Sequence, residues 1–130
     1  MNHEKTALVI DDDQDIRQVL RAMLESGGFQ VDVLSDGIDA VDLKKWYDVI
    51  LLDLKMPVFD GHRLTAYWQL TEPDILRRVI VLSGYSRLTV DQETATFARL
   101  AKPFDFPTLM KVVHECIAQL KSLKFGETHV

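Results

Sequence analysis

Short apolar runs alternate along the chain with longer stretches in which apolar residues recur every three or four positions. Ala7-Leu8-Val9-Ile10 stops at a row of acids, Val49-Ile50-Leu51-Leu52 stops at Asp53, and Val79-Ile80-Val81-Leu82 stops at Ser83. Runs this short, with no polar alternation, predict strands buried on both faces of a sheet. Phe29 to Leu34 alternates and predicts another strand, and Phe97 to Ala101 a weaker fifth. Ile16, Val19, Leu20, Met23 and Leu24 fall at helical spacing, and Gly27-Gly28 end that helix. Ile38, Val41 and Leu43 predict a second helix closed near Trp46, and Gly61 to Leu70 a third, with Glu72-Pro73-Asp74 as a breaker. Leu109, Val112, Val113, Cys116, Ile117 and Leu120 mark an amphipathic last helix. Between Ser83 and Lys102 the chain is rich in β-branched residues and poor in apolar positions, which predicts a fourth helix that is short or irregular. Some five strand–helix alternations predict an α/β fold with a parallel sheet between two helical layers.

Composition narrows the setting. A chain of 130 residues is sized for one domain, here 1–130 with a core over about 5–121 and frayed ends at Met1–Glu4 and Phe125–Val130. No apolar run approaches the ~18 residues of a membrane span, and no secretion signal is evident at the N-terminus. Cys116 is the only cysteine, so no internal disulfide forms and a cytoplasmic setting is expected. The net charge of −5 argues against a nucleic-acid-binding module. Residues 1–61 hold 13 acids against 6 bases, for −7, whereas 62–130 hold 7 against 9, for +2. In the acidic half, Asp32, Asp36, Asp39, Asp42 and Asp48 read as solvated surface. Asp13 and Asp15 read as acids placed at a helix start, Asp60 as a helix N-cap, and Arg17 as an ion-pair partner of the nearby acids. Cys116 reads as packing, and Trp46, Tyr67 and Trp68 as core or surface aromatics. His3, His62, His114 and His129 lack zinc-ligand spacing.

The remaining polar residues fall where chemistry is expected. Open parallel sheets bind ligands outside the carboxyl ends of their strands. Asp11-Asp12-Asp13 follow the first strand, Asp53 the third, Ser83-Gly84 the fourth and Lys102-Pro103 the fifth. Carboxylates ~5 Å apart repel by about 3 kcal/mol at an effective dielectric of ~20. The cluster therefore calls for a counter-charge, which a hard, oxygen-ligated cation such as Mg²⁺ beside a phosphate supplies. Lys102 suits a phosphoryl oxygen as a point charge, and Ser83 offers one donor. Asp53, at the end of the longest buried strand, is the central candidate for a carboxylate nucleophile that forms an aspartyl-phosphate.

These residues carry a resemblance. Ile10-Asp11-Asp12-Asp13 with Arg17 resembles the acidic-pair motif of the receiver domains of two-component response regulators. Leu51 to Gly61 keeps the D-x-x-M-P-x-x-D-G spacing of their phosphoacceptor loop, Val81-Leu82-Ser83-Gly84 resembles their switch-hydroxyl motif, and Leu100-Ala101-Lys102-Pro103-Phe104 their lysine motif. The likeness covers about residues 5–121 in the right order. It implies a flavodoxin-like (βα)5 sandwich with strand order 2-1-3-4-5. It implies that Asp53 accepts a phosphoryl group from the phosphohistidine of a sensor histidine kinase or a histidine phosphotransfer protein, and that this switches binding to a downstream protein. Asp12 and Asp53 would ligate Mg²⁺ with the Lys55 carbonyl, and Asp11 would act through water. Ser83 and Lys102 would bind the phosphoryl oxygens with the Gly84 amide beside them, and the Lys102–Pro103 bond would be cis. The Ser-Gly-Tyr at 83–85 resembles receivers attached to hybrid sensor kinases. Lys55 and Tyr85, each two residues past a site residue, would overhang the phosphoryl group and slow its hydrolysis.

Two departures stand out. Arg99 occupies the position three before the lysine where the family carries Tyr or Phe, and Phe97 would share its face if one strand included both. The stretch between Ser83 and Lys102 is also a few residues short for the family. These departures motivate an alternative reading, an interaction module that no longer uses phosphate, against which the complete acceptor set stands. A haloacid-dehalogenase-like phosphatase, suggested by Asp11-x-Asp13, would leave Asp53 and Lys102-Pro103 without a role. The chain is also too short for that family's cap.

Overall fold

In the computed structural model, residues 5–84 and 96–127 are described, with side chains through Lys121. Strands β1 (Lys5–Ile10), β2 (Phe29–Leu34), β3 (Val49–Asp53), β4 (Val79–Ser83) and β5 (Ala98–Ala101) form one sheet in the order β2-β1-β3-β4-β5, every pair parallel. This is the flavodoxin-like order expected from the resemblance. All five residues of β3 and of β4 are buried. The expectation that Asp53 ends the longest buried strand is corrected: β3 and β4 are equal, and β1 is one residue longer.

Alternate residues of these strands feed two cores, as the two-residue period of a strand requires. Val9, Leu51 and Leu82 face α1 (Gln14–Ser26) and α4 (Phe106–Glu127), where Leu24, Leu109 and Cys116 meet them. Ile10, Leu52 and Val81 face the other way, toward α2 (Gly61–Thr71) and the single turn α3 (Pro73–Leu76), which bring Leu64, Trp68 and Leu76. Each fully buried Leu or Ile adds about 1.5–3 kcal/mol of apolar burial. Helix α1 starts on Asp13, whose side chain accepts from the amides of Asp15 and Ile16, and stops at Gly27, with Gly28 beyond it at φ 93°. Asp60 caps α2 as the sequence predicts, accepting from the Arg63 amide. Helix α4 continues to Glu127, past the point where the sequence suggests fraying.

The second helix predicted from Ile38, Val41 and Leu43 is absent. A 3-10 turn, Gly37–Ala40, stands in its place, followed by irregular chain to Asp48. The side-chain contacts of this stretch explain the difference. Arg78, buried just before β4, donates to the Tyr47 carbonyl at 2.6 Å and stacks 3.6 Å over the Trp46 ring. Asp48 accepts from the Thr6 amide at 2.9 Å. Tyr47 Oη donates to Asp32 at 2.6 Å, and Lys45 pairs with the same carboxylate at 2.9 Å. Asp32 and Asp48 are thus structural partners rather than simple solvated surface, and Asp36 caps the 3-10 turn by accepting from the Ile38 amide. Asp39 and Asp42 are exposed, as read. The predicted fourth helix and Tyr85 lie outside the described residues.

Candidate functional site

The carboxyl ends of β1 and β3 bring three acids together. One carboxylate oxygen from each of Asp11, Asp12 and Asp53 lies within 4.8 Å of the others, with Asp11 and Asp53 buried and Asp12 exposed at the mouth. Local structure fixes the first of them. Asp11 Oδ1 accepts from the Asp13 amide at 2.9 Å, so the turn that caps α1 also orients this carboxylate. Arg17 donates to the Asp11 carbonyl at 2.8 Å. This corrects the ion-pair reading: its bond goes to the backbone of the acidic turn.

Lys102 reaches the acids from the end of β5. Its Nζ lies 3.4 Å from Asp11 Oδ2 and 3.4 Å from Asp53 Oδ1. Both distances exceed the ~2.7–2.9 Å of a tight charge-assisted bond, so one ammonium is shared between two carboxylates. Burial raises the Asp53 carboxyl above the usual aspartate range, and the Asp11 charge pushes the same way. Lys102 and the Lys55 amide, 3.3 Å from Asp53 Oδ1, pull against that rise. Three acids facing one shared ammonium form an under-neutralised set of hard oxygen donors. That is the chemistry a divalent cation such as Mg²⁺ satisfies, and the donor set fits it.

Ser83 closes β4 and is buried. Its carbonyl accepts from the Lys102 amide at 2.6 Å, which ties the hydroxyl-bearing end of β4 to the lysine-bearing end of β5. The Lys102–Pro103 peptide is cis, as the resemblance implies. Beyond Asp53 the chain makes a closed loop. A Cβ on Gly61 would lie 2.6 Å from the Asp53 carbonyl oxygen and 2.8 Å from Leu54 Cα, so only glycine lets α2 start this close to Asp53. At the loop's tip Val58 has φ 62°, a left-handed conformation that costs a β-branched residue about 1–3 kcal/mol.

The structure also answers the question of Arg99. Strand β5 begins at Ala98, and Phe97 packs against the α1–α4 core that also buries Leu100. Phe97 is therefore not on the face of exposed Arg99 and does not take the place of the aromatic usual at that position. Arg78 and Val58 were not legible from sequence. An arginine directly before an apolar strand is the one signal that could have flagged the first.

The sequence matches the response regulator receiver domain family over residues 7–114. Among curated relatives, sporulation initiation phosphotransferase F of Bacillus subtilis is 32% identical over 118 residues, covering 87% of this chain and 93% of that protein. The cell cycle transcriptional regulator CtrA of Caulobacter vibrioides is 33% identical over 121 residues, covering 88% of this chain and 51% of the regulator. The chain thus spans nearly all of the first relative and about half of the second. A solved receiver domain of a sensor histidine kinase from Pseudomonas aeruginosa, with a magnesium ion coordinated in its active-site cleft, superposes with a TM-score of 0.77 at 31% identity. That match covers 89% of this chain and 99% of the other. The response regulator TrrA of Thermotoga maritima, solved in complex with Mg²⁺-BeF, gives a TM-score of 0.77 at 28% identity, covering 86% and 98%. Among the described residues no helix is long and apolar enough to cross a membrane.

Proposed function

The chain belongs to the response regulator receiver domain family of two-component signalling, and on that premise we propose that Asp53 is its phosphoacceptor. One observation carries this reading: the 5% exposed Asp53 carboxylate shares Lys102 with Asp11 at the floor of the acidic cluster. A buried carboxylate beside a shared positive charge is suited to meet a phosphoryl group and to stay protected once it has reacted.

The transfer proceeds as follows. An Asp53 oxygen attacks the phosphorus of a phosphohistidine; the O–P bond forms, the P–N bond breaks, and the imidazole nitrogen keeps the electron pair and takes a proton from solvent. Lys102, freed from half of its acidic company as Asp53 is esterified, pairs with a phosphoryl oxygen. The Ser83 hydroxyl and the Gly84 amide donate to the others. The Asp12 and Asp53 carboxylates and the Lys55 carbonyl would hold Mg²⁺, with Asp11 acting through water. The ion supplies positive charge that offsets both the acids and the incoming phosphoryl oxygens. The donor is a sensor histidine kinase or a histidine phosphotransfer protein in the cytoplasm, and one receiver module over about residues 5–121 carries the signal to a downstream protein. Water attacking in line with the phosphorus returns Asp53 to its free form. Phosphorylation switches partner binding without a buried aromatic at position 99.

Acetyl phosphate with Mg²⁺ tests the reading directly. The wild-type chain should gain one phosphoryl group by intact mass, and Asp53→Asn should gain none. Labelling retained in Asp53→Asn would move the acceptor elsewhere, and the absence of labelling in the wild type would favour a phosphate-independent interaction module.

A further inference from the structure

Two exposed apolar side chains stand beside the acceptor loop with no part in the transfer step. Val58 is the one non-glycine residue with left-handed backbone among the described residues, and its side chain is 84% exposed. Nothing local favours this. A β-branched side chain crowds the left-handed backbone, and full exposure returns no burial. The loop nevertheless holds it there. Leu54 and Met56 are buried as anchors, and the Gly61 amide closes the loop onto the Leu54 carbonyl at 3.1 Å. The tip, Pro57-Val58, is left standing in solvent.

The second side chain is Ile38, also largely exposed. It follows Gly37, which lies against the Phe59 carbonyl so closely that no Cβ would fit. The loops after β2 and β3 are locked at this point, with Ile38 and Val58 flanking the contact. Asp53 lies at the floor of the cleft, so a phosphoryl group carried on a protein must be pressed inward. The surface of that protein then rests on the surrounding loops. We propose that Val58, with Ile38 beside it, is the contact surface for an apolar face next to the phosphohistidine of the protein phosphodonor. Exposed Asp39 follows Ile38 directly, whereas Asp36 caps the 3-10 turn and Asp42 pairs with Lys44, so the matching face is apolar with a basic group at the border facing Asp39. This inference rests on the reading of Asp53 as acceptor. Small acyl phosphates have no such face and reach Asp53 without touching Val58.

The test compares two donors. Acetyl phosphate is one. The other is a purified phosphohistidine-bearing phosphotransfer domain, taken from a panel as the fastest donor to the wild-type chain. Val58→Asn removes the apolar group and suits the left-handed backbone, whereas Val58→Leu keeps the apolar group. With the protein donor, Val58→Asn should raise KM by about tenfold, the size of a modest interface hot spot, and leave kcat unchanged. Val58→Leu should stay near wild type, and acetyl phosphate labelling should be the same in all three. A merely structural role would not lower transfer in a variant whose melting temperature rises. Equal loss with both donors would place Val58 in the reacting site and overturn the proposal, as would unchanged transfer from the protein donor. Failure of acetyl phosphate to label the wild type would instead remove the Asp53 reading beneath it.

Discussion

Replacing Asp53 by Asn keeps the shape of the side chain and removes its charge. The oxygens of Asp11 and Asp53 lie within 4.8 Å, a repulsion of about 3 kcal/mol at an effective dielectric of ~20. Lys102 at 3.4 Å offsets this in the wild type, but the same ammonium keeps Asp11 at 3.4 Å in the variant. What the variant gains is relief from desolvating a buried carboxylate, the largest cause of the raised Asp53 pKa. In EDTA near neutral pH, Asp53→Asn should be more stable than wild type by about 1–2 kcal/mol, at roughly 4 °C of melting temperature per kcal/mol. The folded-state pKa is raised, so the wild type carries its deficit above that pKa. The deficit disappears as pH falls from there toward the unfolded value of 3.8. The difference between the two proteins should shrink on acidification. Magnesium should act in the opposite direction: at a hundredfold excess over its dissociation constant the wild type gains about 2.7 kcal/mol. The variant, short of one ligand oxygen charge, should gain less. Thermal melts followed by circular dichroism, in EDTA and in Mg²⁺, read all of these. A variant less stable than wild type in EDTA, or equal Mg²⁺ shifts in both proteins, would refute the electrostatic account of the site.

Val58→Asn should stabilise the domain by about 1 kcal/mol by relieving the left-handed strain, seen as a higher urea midpoint with an unchanged slope; a lower midpoint would show that the valine side chain is held by packing. Arg78→Met should cost about 2–3 kcal/mol, from the lost bond to the Tyr47 carbonyl and the lost stack on Trp46. It should also alter Trp46 emission and leave acetyl phosphate labelling intact, because this cluster sits at the opposite end of the strands; impaired labelling would contradict that separation. Asp32 has its pKa lowered, first by the Tyr47 hydrogen bond and then by Lys45. Its contribution is therefore present above the unfolded value of 3.8 and is lost as pH falls through the folded one. Tyr47→Phe should cost about 1 kcal/mol at neutral pH, discounted for partial exposure, and the cost should fade in acid; a cost independent of pH would assign the effect to packing.

The parts of this fold that were legible in the sequence are those set by local rules. Four-residue apolar runs bounded by polar residues are too short for most helices and read as buried strands, and Asp60 marks a helix start through its side-chain cap and Gly27 a helix end through its backbone amide. The candidate site was legible for the same reason: Asp53 and Ser83 end strands, Asp11 and Lys102 directly follow them, and a parallel sheet aligns those ends. Several of the misses depend on partners far along the chain. Asp48 looks like surface until Thr6, 42 residues away, donates to it. Ile38, Val41 and Leu43 suggest a helix because nothing nearby reveals that Arg78 will hold Tyr47 and Trp46. Arg17 lies beside the acids, as its position in the sequence suggests, but a long side chain does not reveal in advance whether it will reach a carboxylate or a carbonyl.

The bridge from Lys102 to Asp11 spans 91 residues, and that separation has a consequence for synthesis of the chain. The acids emerge first and remain uncompensated while the sheet around them is being assembled. At about 5–20 residues per second, translation needs roughly 5–20 s to pass from the acidic turn to the lysine. Through that interval the carboxylates of Asp11 and Asp53 lack the ammonium that they share in the folded domain, and their mutual repulsion opposes closure of the first and third strand ends. The last strand therefore brings more than an edge to the sheet: the residue that follows it carries the ammonium that Asp11 and Asp53 share, and with it part of the positive charge the cleft needs. A nascent chain stalled before that lysine should remain protease-sensitive around Asp11 and Asp53, with magnesium the one available substitute.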